Sequence, residues 1–482
     1  MQSSTFYFYD LETSGFSPRE QRIMQFGGQR TDANLREIGE PHNFLIKLTE
    51  DVLPDPTAVL LTGITPQMTV ADGLTEAEFL TIFHREIATP GTIFVGFNNI
   101  RFDDEFIRFL NYRNFYDPYE WHWLDGRSRW DLLDVVRMTR ALRPDGIKWP
   151  FDSAQGKPSN RLEDLASINN LNHNKAHDAL SDVNATIELA RLLRQKQPKL
   201  FDHLLRYRDK KLVSKLITTP GPFTYTSGKY SSTFLHTTVA MVLGTHPKKQ
   251  AVIVYDLRFS PDELLKLSDA EFLERWQHRC SERPCSHSRI PLKIMQFNRC
   301  PAVAPINVID QASQKRLAID LDQINDHQIA LLKIKDKLYT KFIKVLDSVD
   351  QAQAGKFNEE QVPEAALYDS FIPDADKRLS KKLVVADPEN LVNYMGKFQD
   401  ARLNSLLPLY ISKNYSKQQS DDIYSHFEEY KKHKLLESGD NNRLMRYFME
   451  LEEQARLPDT TKQRQYLLEE LQLWGQIIMS AN

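Results

Sequence analysis

Asp10-Leu11-Glu12 follows the apolar run Thr5-Phe6-Tyr7-Phe8-Tyr9, and the two-residue period of a strand puts both carboxylates on one face. Like charges held that close repel unless a cation sits between them. A second acidic stretch, Asp103-Asp104-Glu105, opens a helix after the apolar run Thr92 to Phe97. Acids at a helix start are commonly caps or dipole partners; that is sufficient for Asp104 or Glu105 and competes evenly with a chemical role for Asp103. The third motif is His177-Asp178-Ala179-Leu180-Ser181-Asp182. In one regular helix His177 and Asp182 would lie about 140° apart around the axis. They converge only if His177 stands on the loop before the helix, with Asp178 near the cap and Asp182 a turn inside. Asp-x-Glu arises by chance about once in a chain this long, and a lone His is usually structural. The order of the three motifs within one α/β region is what points to a shared site.

Residues 1–195 read as mixed α/β. Strand-like runs occupy Thr5 to Tyr9, Ile23 to Arg30, Asn43 to Thr49 and Thr92 to Phe97, and helical patterns occupy Asp103 to Asn111, Trp130 to Arg143, Leu162 to Asn169 and Asp178 to Arg194. Between Arg191 and Lys215 nine Lys or Arg stand against Asp202 and Asp209, a connector with a basic face. From about 220 to 310 the texture is strand-like, with Thr224 to Thr226, Thr237 to Leu243 and Ala251 to Tyr255 fitting a small β-barrel or sheet. From Asp326 onward it is helical, with one stripe at Leu338, Phe342, Val345 and Val349 and another at Leu467, Leu471, Trp474 and Ile478. Such stripes are core faces. Ala354 to Pro363 is the expected linker.

A chain of 482 residues has room for about three domains. With 62 basic against 65 acidic residues the net charge is −3, so any phosphate-binding surface must be local. Cys280, Cys285 and Cys300 have neither zinc nor redox spacing and read as reduced thiols. The opening residues lack a basic n-region and carry Asp10 and Glu12 where a signal peptide would be apolar, and no long uncharged apolar run follows, so a cytoplasmic protein without a membrane segment is expected. Gly156-Lys157 is followed by Pro158, which is no phosphate-binding loop and argues against an ATP-driven motor.

The ordered motifs resemble those of the DEDDh (DnaQ-like) 3′→5′ exonucleases, in which a His stands five residues before the last Asp; Thr62-Gly63-Ile64-Thr65 is a further signature of that superfamily. The resemblance is closest to the bacterial exonuclease I family, through Asn98-Asn99-Ile100-Arg101-Phe102-Asp103-Asp104-Glu105, Tyr112 to Tyr119, Ser128 to Asp134 and Ala176-His177-Asp178-Ala179, and it is strongest over residues 1–210. It implies an RNase H-like exonuclease domain with a mixed sheet at 1–195, an SH3-like β domain at 196–353 and a helical C-terminal domain at 356–482. It also implies that Asp10, Glu12, Asp103 and Asp182 hold two Mg²⁺ ions, with Mn²⁺ able to substitute and Asp10 as the bridge. Glu12 and Asp103 would share in catalysis, and His177 would be the general base for in-line attack of water on the terminal phosphodiester, releasing 5′-mononucleotides. Two metals ~3.5–4 Å apart stabilise attacking and leaving oxygens together, and hard carboxylate oxygens suit Mg²⁺.

Residues 101–137 interleave arginines with aromatic rings, a combination that grips phosphates and stacks bases without regard to sequence. The resemblance points to Tyr119 and Trp123 as stacking partners, to Arg108, Arg137 and Arg161 near phosphates, to Glu12 at the terminal nucleotide and to Ile64 as a wedge against the terminal base. It further implies docking of the acidic C-terminal tail of the single-stranded DNA-binding protein near Arg143, Lys315 and Arg316. The expected protein is a monomeric, single-strand-specific 3′→5′ exodeoxyribonuclease of DNA repair and recombination. Two alternatives stand beside it. A DEDDh exoribonuclease trimming RNA 3′ ends fits the same motifs, since no residue announces a contact to the 2′-OH. A non-catalytic single-strand-binding scaffold would be marked by loss of an acidic motif.

Overall fold

The computed structural model describes residues 5–171, 178–277, 289–354, 362–418, 420–436, 442–458 and 461–480. The chain divides into two compact units, Met1–Arg129 with His173–Ile187 and Glu360–Asn482, and Trp130–Asn172 with Glu188–Glu359.

The first unit is built on a five-stranded mixed sheet of order β3-β2-β1-β4-β5, from β1 (Phe6–Thr13), β2 (Ile23–Thr31), β3 (Glu37–Leu45), β4 (Ile93–Gly96) and β5 (Ser128–Asp131). Central β1 runs antiparallel to β2 and parallel to β4. Its Tyr7, Tyr9 and Leu11 are buried with Phe26, Phe79, Phe83, Phe94 and Trp121, so the strand carrying Asp10 and Glu12 is held along its length. Strand β3 starts earlier than its hydrophobic pattern suggests and contains Pro41; it is an edge strand, where a missing N–H breaks no ladder. Three seven-residue helices, α1 (Pro56–Thr62), α2 (Pro66–Asp72) and α3 (Glu76–Ile82), are too short for a periodic signal. Their marks are N-caps from Asp55, Thr65 and Thr75 and prolines in the first turn of α1 and α2. Helix α4 (Asp103–Arg113) follows β4 through a short turn, and α7 (Ala179–Lys196) carries Asp182.

The C-terminal helices α13 (Asp374–Leu383), α14 (Ala401–Asn414), α15 (Asp421–Leu436), α16 (Arg443–Ala455) and α17 (Lys462–Ser480) share cores with the nuclease sheet's helices. Phe109, Tyr112 and Phe115 pack with Leu403, Leu407 and Tyr410, and Val59 packs with Leu444, Leu451, Leu467 and Leu471. Leu48 and Val52 pack with Trp474 and Ile478. The stripe read in the last helix is therefore a core face.

The second unit contains α5 (Leu132–Leu142), a two-residue-stranded hairpin β6 (Phe151–Asp152) and β7 (Lys157–Pro158), α6 (Leu162–Ile168), α8 (Pro198–Arg206) and α9 (Lys210–Thr218). Its antiparallel sheet has the order β11-β10-β9-β8-β12, from β8 (Phe223–Thr226), β9 (Thr237–Thr245), β10 (Ala251–Asp256), β11 (Leu292–Gln296) and β12 (Ala302–Pro305). Helices α10 (Asp269–Gln277), α11 (Gln311–Leu317) and α12 (Leu321–Ala354) complete it. Trp130, read as helical, is in β5; α5 starts at Leu132, with Asp131 as its N-cap accepting from the Leu133 N–H. Among the described residues Cys300 forms no disulfide. Cys280, Cys285 and most of the expected linker lie outside the described residues. Among the described residues no helix is long and apolar enough to cross a membrane.

Candidate active site

The β1–β2 ladder sets Asp10 opposite Gly27 and Glu12 opposite Gln25, with a register shift between Glu12 and Thr13. Gly27 is there for want of room: a Cβ on it would meet the Ala179 carbonyl carbon at 2.5 Å and the Leu180 nitrogen at 2.6 Å. The start of α7 thus lies directly on β2. Gln25 ties the same two elements, accepting from the Ala179 N–H at 3.2 Å and donating to Asn43 at 2.9 Å and to Asp178 at 3.4 Å. Asp178 in turn accepts from the Ser181 N–H at 3.2 Å at the head of the helix, which places Asp182 in the first turn.

Carboxylate oxygens of Asp10, Glu12 and Asp182 come within 4.8 Å of one another. Burial pushes the Asp10 carboxyl well above the usual range, and the charges of Asp103, Glu12 and Asp182 push it further. Burial, then Asp182 and Asp178, pushes Glu12 up to about 8. Among the described residues the charges that shift these two groups are acidic, so the donor set is a cluster of hard oxygens. That is the chemistry of a divalent-cation site. Asp103 is buried at the first position of α4, whose N-terminus has no side-chain cap, so capping does not account for it. Asp104 differs: Tyr9 donates to one of its oxygens and the Arg129 guanidinium pairs with the other, while Asn99 donates to the Tyr9 hydroxyl at 3.1 Å. It is a structural acid, buried where α4 packs against the sheet residues Tyr9 and Arg129.

Three comparisons bear on what this site does. The sequence matches the Exonuclease family over residues 7–190, the Exonuclease I SH3-like domain over 208–348 and the Exonuclease I C-terminal domain over 361–478. It is 39% identical to the exodeoxyribonuclease I of Escherichia coli K12 over 86% of each chain, and 38% identical to that of Haemophilus influenzae over 90% of this chain and 91% of the relative. The chain belongs to the exonuclease I family. It is an exodeoxyribonuclease, and its exonuclease domain is of the divalent-metal-using kind. Its fold agrees with the family's solved structures. The crystal structure of E. coli exonuclease I in complex with a dA16 oligonucleotide, 35% identical, superposes with a TM-score of 0.90 over 99% of this chain and 100% of that one.

Against this exonuclease I frame the remaining expected residues divide. Trp121, Trp130, Tyr112 and Phe115 are core, whereas Tyr119 and Trp123 are 38% and 55% exposed. Arg108 lies 5.5 Å from the Tyr119 ring centroid and pairs with Glu105 at 2.5 Å. Ile64 is buried. The exposed apolar side chain next to the acids is Phe16, 69% exposed, whose ring stands 6.5 Å from that of Phe102, the residue before Asp103. The sequence reading passed over Phe16, although it follows the first motif by four residues. It also passed over Gln25, whose role depends on register and leaves no motif. In the second unit Arg137 pairs with Asp134 at 2.7 Å and Arg161 is exposed before α6. Arg143 donates to the Val308 carbonyl at 2.9 Å and pairs with Asp310 at 3.2 Å, and Arg316 donates to the Ala141 carbonyl at 2.6 Å. Lys315 borders an open depression with Gln311, Ala312, Ala318 and Ile319. His177 lies outside the described residues.

Proposed function

We propose that this exodeoxyribonuclease degrades single-stranded DNA from its 3′ end to 5′-mononucleotides. The observation that carries the reading is the convergence of Asp10, Glu12 and Asp182, with Asp103 acting electrostatically on the same cluster. These four carboxylates would hold two Mg²⁺ ions, for which Mn²⁺ could substitute. Bound there, the cations would stabilise the attacking and leaving oxygens of the phosphodiester. A solved relative supports metal occupancy, being the zinc-bound form of the E. coli enzyme with single-stranded DNA. His177 would take a proton from the attacking water on a ring nitrogen, a role suited to an imidazole near neutral pH. Glu12 and Asp103 fix the scissile end.

Phe16, Tyr119 and Trp123 offer exposed rings for bases, Arg108 is held by Glu105 over the Tyr119 ring, and Arg137 and Arg161 of the second unit would serve phosphates. The second unit's depression at Lys315, with Arg143 and Arg316, would take the C-terminal tail of the single-stranded DNA-binding protein; a solved exonuclease I, 35% identical, is described together with SSB. The reading places domains at 1–195, 196–353 and 356–482, beside family matches over 7–190, 208–348 and 361–478, and takes the protein as a monomer working in the cytoplasm in repair and recombination.

The test is incubation with 5′-labelled single-stranded DNA, its RNA counterpart and a blunt duplex, with Mg²⁺ and with EDTA. A Mg²⁺-dependent ladder shrinking from the 3′ end on single-stranded DNA alone is expected. Trimming of RNA in its place would make the protein an exoribonuclease, and binding without cleavage would make it a scaffold.

A further inference from the structure

The loop that follows Glu12 is fixed by residues far away in sequence. Ser14 is fully buried; its N–H donates to the Arg22 carbonyl at 2.8 Å, its hydroxyl oxygen accepts from the Arg22 N–H at 2.8 Å, and its carbonyl accepts from the Asp55 N–H at 2.7 Å. The Arg22 side chain, beneath that loop, is buried and donates to the carboxylate of Glu364 at 2.7 Å. Glu364 belongs to the segment that leads into the C-terminal helices, and it is itself buried. It also accepts from Lys413 on α14 at 2.7 Å and from the Tyr430 hydroxyl on α15 at 2.8 Å. Lys413 and Lys434 close the network onto Asp51, at 2.9 and 2.7 Å, and Asp51 lies four residues before Asp55. The Arg22 anchor of Ser14 therefore ends on a buried cluster whose central acid, Glu364, is supplied by the C-terminal region.

We propose that Glu364 is a positioning residue for the nuclease site: through Arg22 it fixes the backbone just after Glu12, so that the C-terminal region sets the geometry in which the acidic cluster receives its cations. A buried ion network of this kind has discrete arrangements, because a guanidinium left without its acid must find another partner. Removing the Glu364 charge leaves Lys413 and Lys434 on Asp51 and Arg22 between Asp51 and Glu76, each at 3.8 Å, and Arg22 is the member joined to the Ser14 loop. The inference rests on the reading of Asp10 and Glu12 as cation-binding carboxylates.

The test is Glu364→Gln in the full chain, with initial rates on a single-stranded oligonucleotide measured over a range of Mg²⁺ and scaled to the folded fraction. The expected result is a rise of about tenfold in the Mg²⁺ needed for half-maximal rate, of the size seen when groups behind a metal's ligands are altered. The KM for the oligonucleotide should stay unchanged, and Glu364→Asp should recover much of the loss. A purely structural role would lower the melting temperature and leave half-saturation where it was, and that result overturns the proposal. Where Glu364→Gln fails to fold, Tyr430→Phe removes one hydrogen bond to Glu364 and keeps every charge; it should shift half-saturation in the same direction, and an unshifted value overturns the proposal. A wild-type protein whose rate ignored Mg²⁺ would instead overturn the cation reading on which the inference rests.

Discussion

Gly27 and Ala179 touch across the junction of β2 and α7, closely enough that a Cβ on the glycine would lie 2.7 Å from the Ala179 carbonyl oxygen. Since Gly27 pairs with Asp10 and Ala179 begins the helix of Asp182, this contact sets the distance between two of the site's acids. Gly27→Ala must push the helix start outward. The expected cost is about 1–3 kcal/mol of stability, as for other overpacked sites, together with a loss of hydrolysis larger than the stability loss alone would give. Thermal unfolding beside Mg²⁺-dependent hydrolysis separates the two effects.

Asp10→Asn and Asp182→Ala should lower hydrolysis by about three orders of magnitude, since cation stabilisation of the transition state is worth several kcal/mol. Single-strand binding should persist, because the aromatic and arginine side chains remain. In EDTA, Asp10→Asn should unfold at a higher temperature than the wild type, because it removes the cost of burying an ionisable carboxyl there and, with it, the repulsion from Asp103, Glu12 and Asp182. A lower melting temperature would show that Asp10 supports the fold rather than straining it.

The raised Glu12 has a defined pH signature. Its folded carboxyl, near 8, keeps its proton through a range in which the unfolded chain has lost it, from about 4.3 upward. The metal-free protein should therefore lose stability as pH rises from about 4.5 to 8, and Mg²⁺ should restore it. Cation binding below pH 8 should release protons, visible as a buffer-dependent heat in calorimetry.

Asp103 and Asp104 are adjacent and should behave oppositely. Asp104→Asn leaves the buried Arg129 without its charge partner and should cost about 3–5 kcal/mol, with little change in the Mg²⁺ dependence of the folded molecules. Asp103→Asn should change the Mg²⁺ dependence with a smaller effect on stability. Denaturant titration and a Mg²⁺ series on both variants decide this.

The acid pole of the buried network gives a further pH window. Asp51, Glu76 and Glu364 are all held below the usual carboxylate range, the favourable charges of Lys413, Arg113 and Arg22 respectively outweighing the burial that opposes them. The stability they contribute is complete above the unfolded values near 4 and should be lost as pH falls through their lower folded values. Acid unfolding of Asp51→Asn should accordingly be shallower than that of the wild type.

The parts legible in the sequence were those in which local pattern and chemistry coincide. Asp10 and Glu12 announce themselves by strand alternation, and Asp182 by its place one turn into a helix. The final helix announces its core face through Leu467, Leu471, Trp474 and Ile478. What escaped depends on pairing between distant segments. Gln25 acquires its role only from the register opposite Glu12, and Gly27 only from the closeness of α7. Glu364 stands one residue past the stretch that reads as a linker, and nothing nearby in sequence reveals the four cationic and hydroxyl side chains that enclose it. For Asp103 the residue pattern alone left capping and chemistry evenly matched and only the resemblance set it apart from Asp104, whose own task emerges once Arg129 is seen buried against it.

The contacts that complete the nuclease half span most of the chain: Arg22 reaches Glu364 across 342 positions, Lys434 reaches Asp51 across 383, and the Trp474 indole donates to the Val52 carbonyl across 422. Closing loops of that length is slow and comes late in folding. During synthesis the first strand and its acids leave the ribosome long before α17 exists. The consequence is a built-in delay: a nascent or truncated chain lacks the cores around Leu48, Val52 and Val59 and cannot complete its nuclease half until α17 has been made.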